Sequence, residues 1–251
     1  PHGQRQLEIA GIESTYIPHS IDTNIYKPTF EIEGQPTRRF MDISDDTFLV
    51  TMVSANKANG IQHRKSIAEA LTAFAMFHSE KPDSHLYLHM EASNAYGGFV
   101  IPRLLKAVGL PPEAVTIADS NQLRTGYPVE TMAAIYTASD VLLMPSLGEG
   151  FGIPLVESQS CGTPVLTGSW TAMADLAGPS SWILAGQPLW DETQGAFYQI
   201  PLISSIVEGL KLAYEAPRGV DEESREFAKE FDVERVWQHK WLPFWKDYFN
   251  G

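Results

Sequence analysis

The residues best placed to do chemistry stand together in PSLGEGFGIPLVES, positions 145–158. Gly148, Gly150 and Gly152 alternate around Glu149, and Glu157 follows after seven intervening residues. Alternating glycines let the backbone approach a ligand closely, and a helix starting at Ile153 presents unbonded N–H groups and a positive dipole end to an anion. Glu149 then lies in the loop and Glu157 one turn into the helix. One carboxylate falls beside the anion and the other behind it. A carboxylate that accepts two hydroxyl hydrogen bonds suits a ribose or a hexose, each charge-assisted bond contributing about 1.5–3 kcal/mol. The plainer reading is a glycine-rich turn with a solvated acid favoured by the helix dipole. A second group is cationic: KANGIQHRK, positions 57–65, holds Lys57, Arg64 and Lys65, three of the 18 Lys and Arg residues, together with His63. It is the one place in the acidic chain where basic residues are locally concentrated.

The elements around these residues alternate. FLVTMV (48–53) is a near-continuous apolar run suited to a strand buried on both faces, and SIAEALTAFAMFH (66–78) has helical spacing. The same reading gives strands at 85–90, 115–119, 140–146, 163–168 and 181–185, and helices at 99–109, 130–139, 153–162 and near 172–176. Strand–helix alternation implies right-handed crossovers and a parallel sheet covered on both faces, that is, an α/β, Rossmann-like doubly wound domain. Its expected extent is 46–216. Residues 1–45 read as an approach segment, a short strand followed by connecting chain, and 217–251 as a helical tail. Residues 185–201 read as an irregular insertion. In the tail, Pro243 should kink a helix carrying Trp237, Trp241 and Tyr248, an aromatic stripe that reads as core or interdomain packing before membrane insertion.

Composition narrows the classes. The chain has 251 residues and a net charge of -13, so it repels phosphate backbones and anionic lipid except where cations cluster locally. No run of eighteen apolar residues occurs. The single Cys161 excludes a disulfide framework and a zinc site built from several thiolates, and suggests a reducing, cytoplasmic compartment. GEGFGI would place Ile153 where a dinucleotide fingerprint needs its third glycine, which disfavours a nicotinamide enzyme. His85 and His89 share a strand face but lack a suitably spaced acid, so no metal is expected. Cys161 reads as a packing residue.

The segment 145–165, ending in Cys-Gly-Thr-Pro-Val, resembles the signature of the retaining glycosyltransferases of family four, which have the GT-B fold. IPHSIDTNIYKP (17–28) is similar to the family's lead into its nucleotide-binding domain, with departures at His19, Ser20 and Tyr26. The resemblance covers about residues 7 to 216. It implies that Glu157 binds the donor ribose and that Glu149 faces the transferred sugar. The N–H groups of Phe151, Gly152 and Ile153, beside Gly150, would meet sugar and phosphates. Lys57 and Lys65, shared with Arg64, would stabilise the departing nucleoside diphosphate without a metal. The loop at Asp119, Ser120 and Asn121 is expected at the base, with Tyr127 either stacking there or packing. Thr171-Ala172-Met173 stands where many relatives carry Gly-Gly, and Asp175 there reads chiefly as a surface residue. The implied reaction is transfer of a hexose from a nucleotide diphosphate sugar to an acceptor hydroxyl, with retention. The Asn56-Lys57…Arg64-Lys65 variant points to GDP-mannose, with UDP-sugars open. The family's acceptor domain is N-terminal, so the length reads as that of a donor-binding portion lacking that domain. The alternative is a non-catalytic nucleotide-sugar-binding module.

Overall fold

A computed structural model describes residues 1–57 and 63–250; positions 58–62, within the cationic stretch, lie outside the described residues. In chain order the elements begin with α1 (His2–Ile9), β1 (Glu31–Ile32), β2 (Gln35–Pro36) and α2 (Thr37–Phe40). Next come β3 (Phe48–Val53), α3 (Ile67–Glu80), β4 (Ser84–His89), α4 (Ile101–Val108), β5 (Val115–Ile117), α5 (Ser120–Thr125) and α6 (Val129–Ala138). The second half holds β6 (Val141–Met144), α7 (Ile153–Ser160), β7 (Val165–Gly168), α8 (Met173–Leu176), β8 (Trp182–Leu184), β9 (Gly186–Asp191), β10 (Ala196–Pro201) and α9 (Ile203–Glu215). The tail is α10 (Glu222–Ala228), α11 (Val233–Val236) and α12 (Leu242–Asn250).

The main sheet has six strands in the order β5-β4-β3-β6-β7-β8, all paired in parallel. Side chains alternate between two cores. Phe48, Val50 and Met52 of β3 pack with α3, α4 and α9 on one face, and Leu49 packs with α6 and α7 on the other. Leu143 and Leu142 of β6 divide in the same way. Burial on both faces explains why these strands are apolar throughout instead of alternating. The chain winds outward from β3 through β4 and β5, then returns to the far side of β3 with β6. The strand order therefore reverses between β3 and β6, and the crevice beyond their carboxyl ends is the place where such sheets bind ligands.

Three regions differ from the sequence expectation. The insertion at 185–201 is a regular antiparallel hairpin, β9 paired with β10 from Gly186–Pro201 to Asp191–Ala196. Its residues are mostly exposed or half-buried, which leaves no clear apolar period. Second, the approach segment opens on a helix: residues 2–9 form α1, which buries none of its residues. The segment at 120–125, expected as loop, is helix α5, whose first N–H groups are capped by Asp119. In the tail a π-helical turn, Trp237–Trp241, sits just before Pro243. Pro243 has no N–H for the preceding turn and crowds its carbonyl, which a wider turn accommodates.

The segment before β3 is bound to the rest. Ile21 N–H donates to the Phe231 carbonyl at 3.0 Å, and Val233 N–H to the Ile21 carbonyl at 2.8 Å. Thr23 Oγ1 donates to Asp232 at 2.6 Å. Arg38 lies 2.9 Å from the buried carboxylate of Asp140. Asp140 also accepts the Leu49 N–H at 2.7 Å, at the start of β3.

Candidate active site

The glycine loop runs from the end of β6 to α7. Gly152 has φ +111°, a conformation that side chains resist, and it is the residue from which α7 starts. Pro154, in the first turn, has no N–H to leave unbonded. Among the described residues the N–H groups of Phe151, Gly152 and Ile153 donate no hydrogen bond, so the helix end keeps the donors an anion needs.

The loop after β3 is joined to this one across the reversal point. Leu147 N–H donates to the Arg64 carbonyl at 2.8 Å, and Arg64 Nη1 donates to the Gly148 carbonyl at 2.7 Å. The Glu149 carboxylate, almost fully buried, closes the cluster: Arg64 Nη1 is 2.8 Å from Oε2 and Lys65 Nζ 2.5 Å from Oε1. Burial opposes ionisation of Glu149, but the Lys65 ammonium and hydrogen bonds from Lys65, Ser146 and Arg64 outweigh it, and the carboxyl titrates below its ordinary range. Lys65 is itself lowered by burial, against the pull of Glu149 and with the help of Arg64. Fixed charges in a partly dry site of this kind act strongly on charge that develops beside them.

Glu149 is also held from behind. Its N–H donates to Thr171 Oγ1 at 3.0 Å, and that hydroxyl donates to the Trp170 carbonyl at 2.7 Å. Thr171 has φ +54°, unusual for a β-branched residue. The site holds that strain at the residue that braces Glu149. Asp175 nearby is engaged by α1: His2 N donates to it at 2.6 Å and Arg5 lies at 3.2 Å.

Two cavities flank the cluster. One of about 560 Å³ lies beyond the ends of β3 and β4, and Lys57, Lys65, Glu91, Tyr96, Arg124 and Pro154 are among its lining. The other, about 330 Å³, is lined by Arg64, Gly148, Glu149, Gly150, Thr171 and Tyr198. Lys57 is exposed, its Nζ 5.5 Å from the centre of the Tyr96 ring. Glu157 lines neither cavity. It accepts from the Tyr136 hydroxyl at 2.8 Å and interacts with that of Tyr26, and burial raises its pKa against these hydrogen bonds.

Asp119 caps α5 through the Asn121 and Gln122 N–H groups, and Ser120 donates to Glu91 at 3.0 Å. From that segment it is Leu123 and Arg124 that line the larger cavity. Tyr127 packs edge-on against His89, 4.7 Å between ring centres. His85 bonds Thr116 and His89 bonds Tyr87, and among the described residues no three His, Cys, Asp or Glu side chains are grouped to hold a metal. Cys161 is fully buried, and burial pushes its thiol well up.

Asn56, which the sequence showed only as part of the Asn-Lys…Arg-Lys variant, and two residues not singled out from the sequence, Glu91 and Tyr198, complete the site. Asn56 donates to the carbonyls of Glu91, Ser93 and Phe99 and accepts the Phe99 N–H, so it shapes the whole loop after β4. Glu91 lies two residues beyond β4, and its carboxyl is held low chiefly by the Ser93 N–H. The available signal was positional: 91–98, with its Gly97-Gly98 pair, is another strand-to-helix loop on the same edge. Tyr198 arrives from the hairpin and had no such signal.

Residues 105–188 match the family model described as Glycosyl transferases group 1. D-inositol 3-phosphate glycosyltransferase of Paenarthrobacter aurescens (strain TC1) is 25% identical over 190 residues, covering 70% of this chain and 43% of that protein. This chain thus matches less than half the length of that curated relative. Among solved structures, sucrose-phosphate synthase (tll1590) from Thermosynechococcus elongatus superposes with a TM-score of 0.77 at 18% identity, covering 100% of this chain and 57% of that one. Anabaena Alr3699/HepE, in complex with UDP and glucose, gives 0.70 at 16% identity, covering 97% and 60%. No described helix is long and apolar enough to cross a membrane. The signature around Glu149 and Glu157, the reversal-point topology and these matches agree: the chain is similar to the group 1 glycosyltransferases and has the Rossmann-like fold of one half of a GT-B structure.

Proposed function

We propose that this domain binds a nucleotide diphosphate sugar and serves the transfer of its hexose to an acceptor hydroxyl with retention at the anomeric carbon. The observation that carries the reading is the ion cluster of Glu149, Arg64 and Lys65 set against the start of α7 at the strand reversal. Arg64, Lys65 and Lys57 supply positive charge for the diphosphate, and the N–H groups of 151–153 supply directed donors. As the bond to the sugar breaks, negative charge grows on the leaving phosphate, where these groups stabilise it already in place. Glu149 positions the sugar hydroxyls in the 330 Å³ cavity. Glu157 takes the ribose hydroxyls in exchange for its tyrosine partners, and the 560 Å³ cavity takes the rest of the nucleoside.

The sequence pattern points to GDP-mannose, and the Anabaena neighbour was solved with UDP and glucose, so both donors belong in the test. The acceptor is held by a facing domain in this reading. Incubation with GDP-mannose or UDP-glucose and a panel of sugar acceptors, followed by nucleoside diphosphate release, separates an enzyme from a binding module. Turnover with an unchanged anomeric configuration in the product, read by proton NMR, supports the proposal. Inversion contradicts the retaining route, and binding without turnover in the protein with its facing domain leaves the module.

A further inference from the structure

The hairpin β9–β10 is held against the glycine loop at several points. Its base is closed by the Leu202 N–H donating to the Ala185 carbonyl at 2.9 Å. The Trp170 indole lies between Gly168 and Gly186, so close that a Cβ at either position would sit 2.4 Å and 3.1 Å from the ring. That indole donates to the Ser146 carbonyl at 3.0 Å, which fixes it to the start of the loop. Gln199 N–H reaches the Leu147 carbonyl at 3.3 Å. Tyr198, between these anchors, presses its ring on Gly148: a Cβ there would meet Tyr198 Cε1 at 2.9 Å and the Thr171 methyl at 3.2 Å. Trp190 and Phe197 occupy the opposite face of the hairpin, where they pair with each other in solvent.

The hairpin thus contributes one side chain to the cavity that Glu149 and Arg64 line from the other side. At about 330 Å³ that cavity stands at the small end of ligand sites, the scale of one monosaccharide instead of a whole nucleotide sugar. Its charged side can bond sugar hydroxyls, and a pyranose also has C–H faces that need an apolar surface. The Tyr198 ring is the aromatic surface lining that cavity. We propose that Tyr198 is a sugar-contacting residue: its ring forms the wall against which the transferred hexose packs while Glu149 holds the hydroxyls, so the hairpin selects for the sugar part of the donor. This rests on the donor-binding reading above.

The test compares two affinities in the whole chain by calorimetry, for GDP and UDP and for GDP-mannose and UDP-glucose, in wild type, Y198A and Y198F. Y198A is expected to weaken the nucleotide sugar about tenfold while leaving the free diphosphate within twofold, and Y198F, which keeps the ring, to restore at least most of that loss. Equal losses for diphosphate and sugar nucleotide in Y198A, or no loss in either, overturn the assignment, as does a Y198F as weak as Y198A. Wild type that binds none of the four overturns the donor-site reading itself, and the inference with it, so the two failures are told apart. Melting curves on both variants check that the hairpin stays docked.

Discussion

Replacing Glu149 with alanine leaves Arg64 and Lys65 side by side in a partly buried site with no counter-charge. Breaking such a cluster from one side costs on the order of 2 kcal/mol, less than for a fully buried pair because Arg64 keeps some solvent. The same substitution frees both cations for phosphate. Glu149→Ala is therefore expected to lower the melting temperature and to weaken sugar nucleotide far more than free diphosphate, measured by melting and calorimetry on one preparation. Glu157 behaves in the opposite way. Burial raises its pKa, so the ionised form is held at a cost near neutral pH. Glu157→Gln should raise the melting temperature or leave it unchanged, yet weaken nucleotide binding by tenfold or more through the loss of charge-assisted bonds of about 1.5–3 kcal/mol each. A variant that loses stability and keeps its affinity would remove Glu157 from the site. Glu149, Arg64 and Lys65, which the structure brings together, stood out in the sequence because their types and spacing are tied to one loop and one cationic stretch. Their pairing with each other was not legible, since Glu149 meets Arg64 only when two loops 85 positions apart in sequence are folded onto one edge.

At the scale of elements, the alternation of apolar runs and helical spacing gave the succession of strands and helices along the chain and a parallel sheet covered on both faces, because a strand buried on both faces and a helix with one buried face carry strong local patterns. The hairpin, α1 and α5 were not legible, since each depends on contacts outside itself or on a single cap. Two glycines test the positioning of the loops. A Cβ on Gly98 would fall 2.1 Å from Asn56 Oδ1 and 2.3 Å from the Asn56 carbonyl oxygen, and backbone cannot easily yield. Gly98→Ala should cost several kcal/mol, at the upper end of single substitutions, and displace Asn56 from the loop after β4. Gly152→Ala meets only the flexible Leu155 and Met144 side chains but must hold φ +111°, so its cost is about 1–2 kcal/mol. Denaturant melts of both variants check the order; equal costs would contradict it. Acid acts on the same joints. Glu149 and Asp232 titrate below their ordinary values in the folded chain, so their contribution is complete above the unfolded carboxylate range and is lost as pH falls through the folded values. In Asp232→Ala, which loses the tie to Thr23 and the cap of α11, stability should depend less steeply on pH below about 4 than in wild type.

At the scale of the whole molecule, the net charge of -13 makes the cluster at Lys57, Arg64 and Lys65 stand out, and the fold sets it where the strand order reverses. The donor reading requires that a nucleotide reach these cations and stabilise the folded chain by mass action. The direct measurement is the melting temperature of wild type and of the doubly substituted R64A/K65A chain with millimolar GDP, UDP, ADP and their sugars. At a hundredfold excess over the dissociation constant, binding adds about 2.7 kcal/mol, a rise of roughly 5–10 °C for a chain of this size. The account predicts such a rise for at least one nucleotide in wild type and its loss in the double variant. No shift with any of them, or an equal shift in the chain lacking both cations, would contradict it.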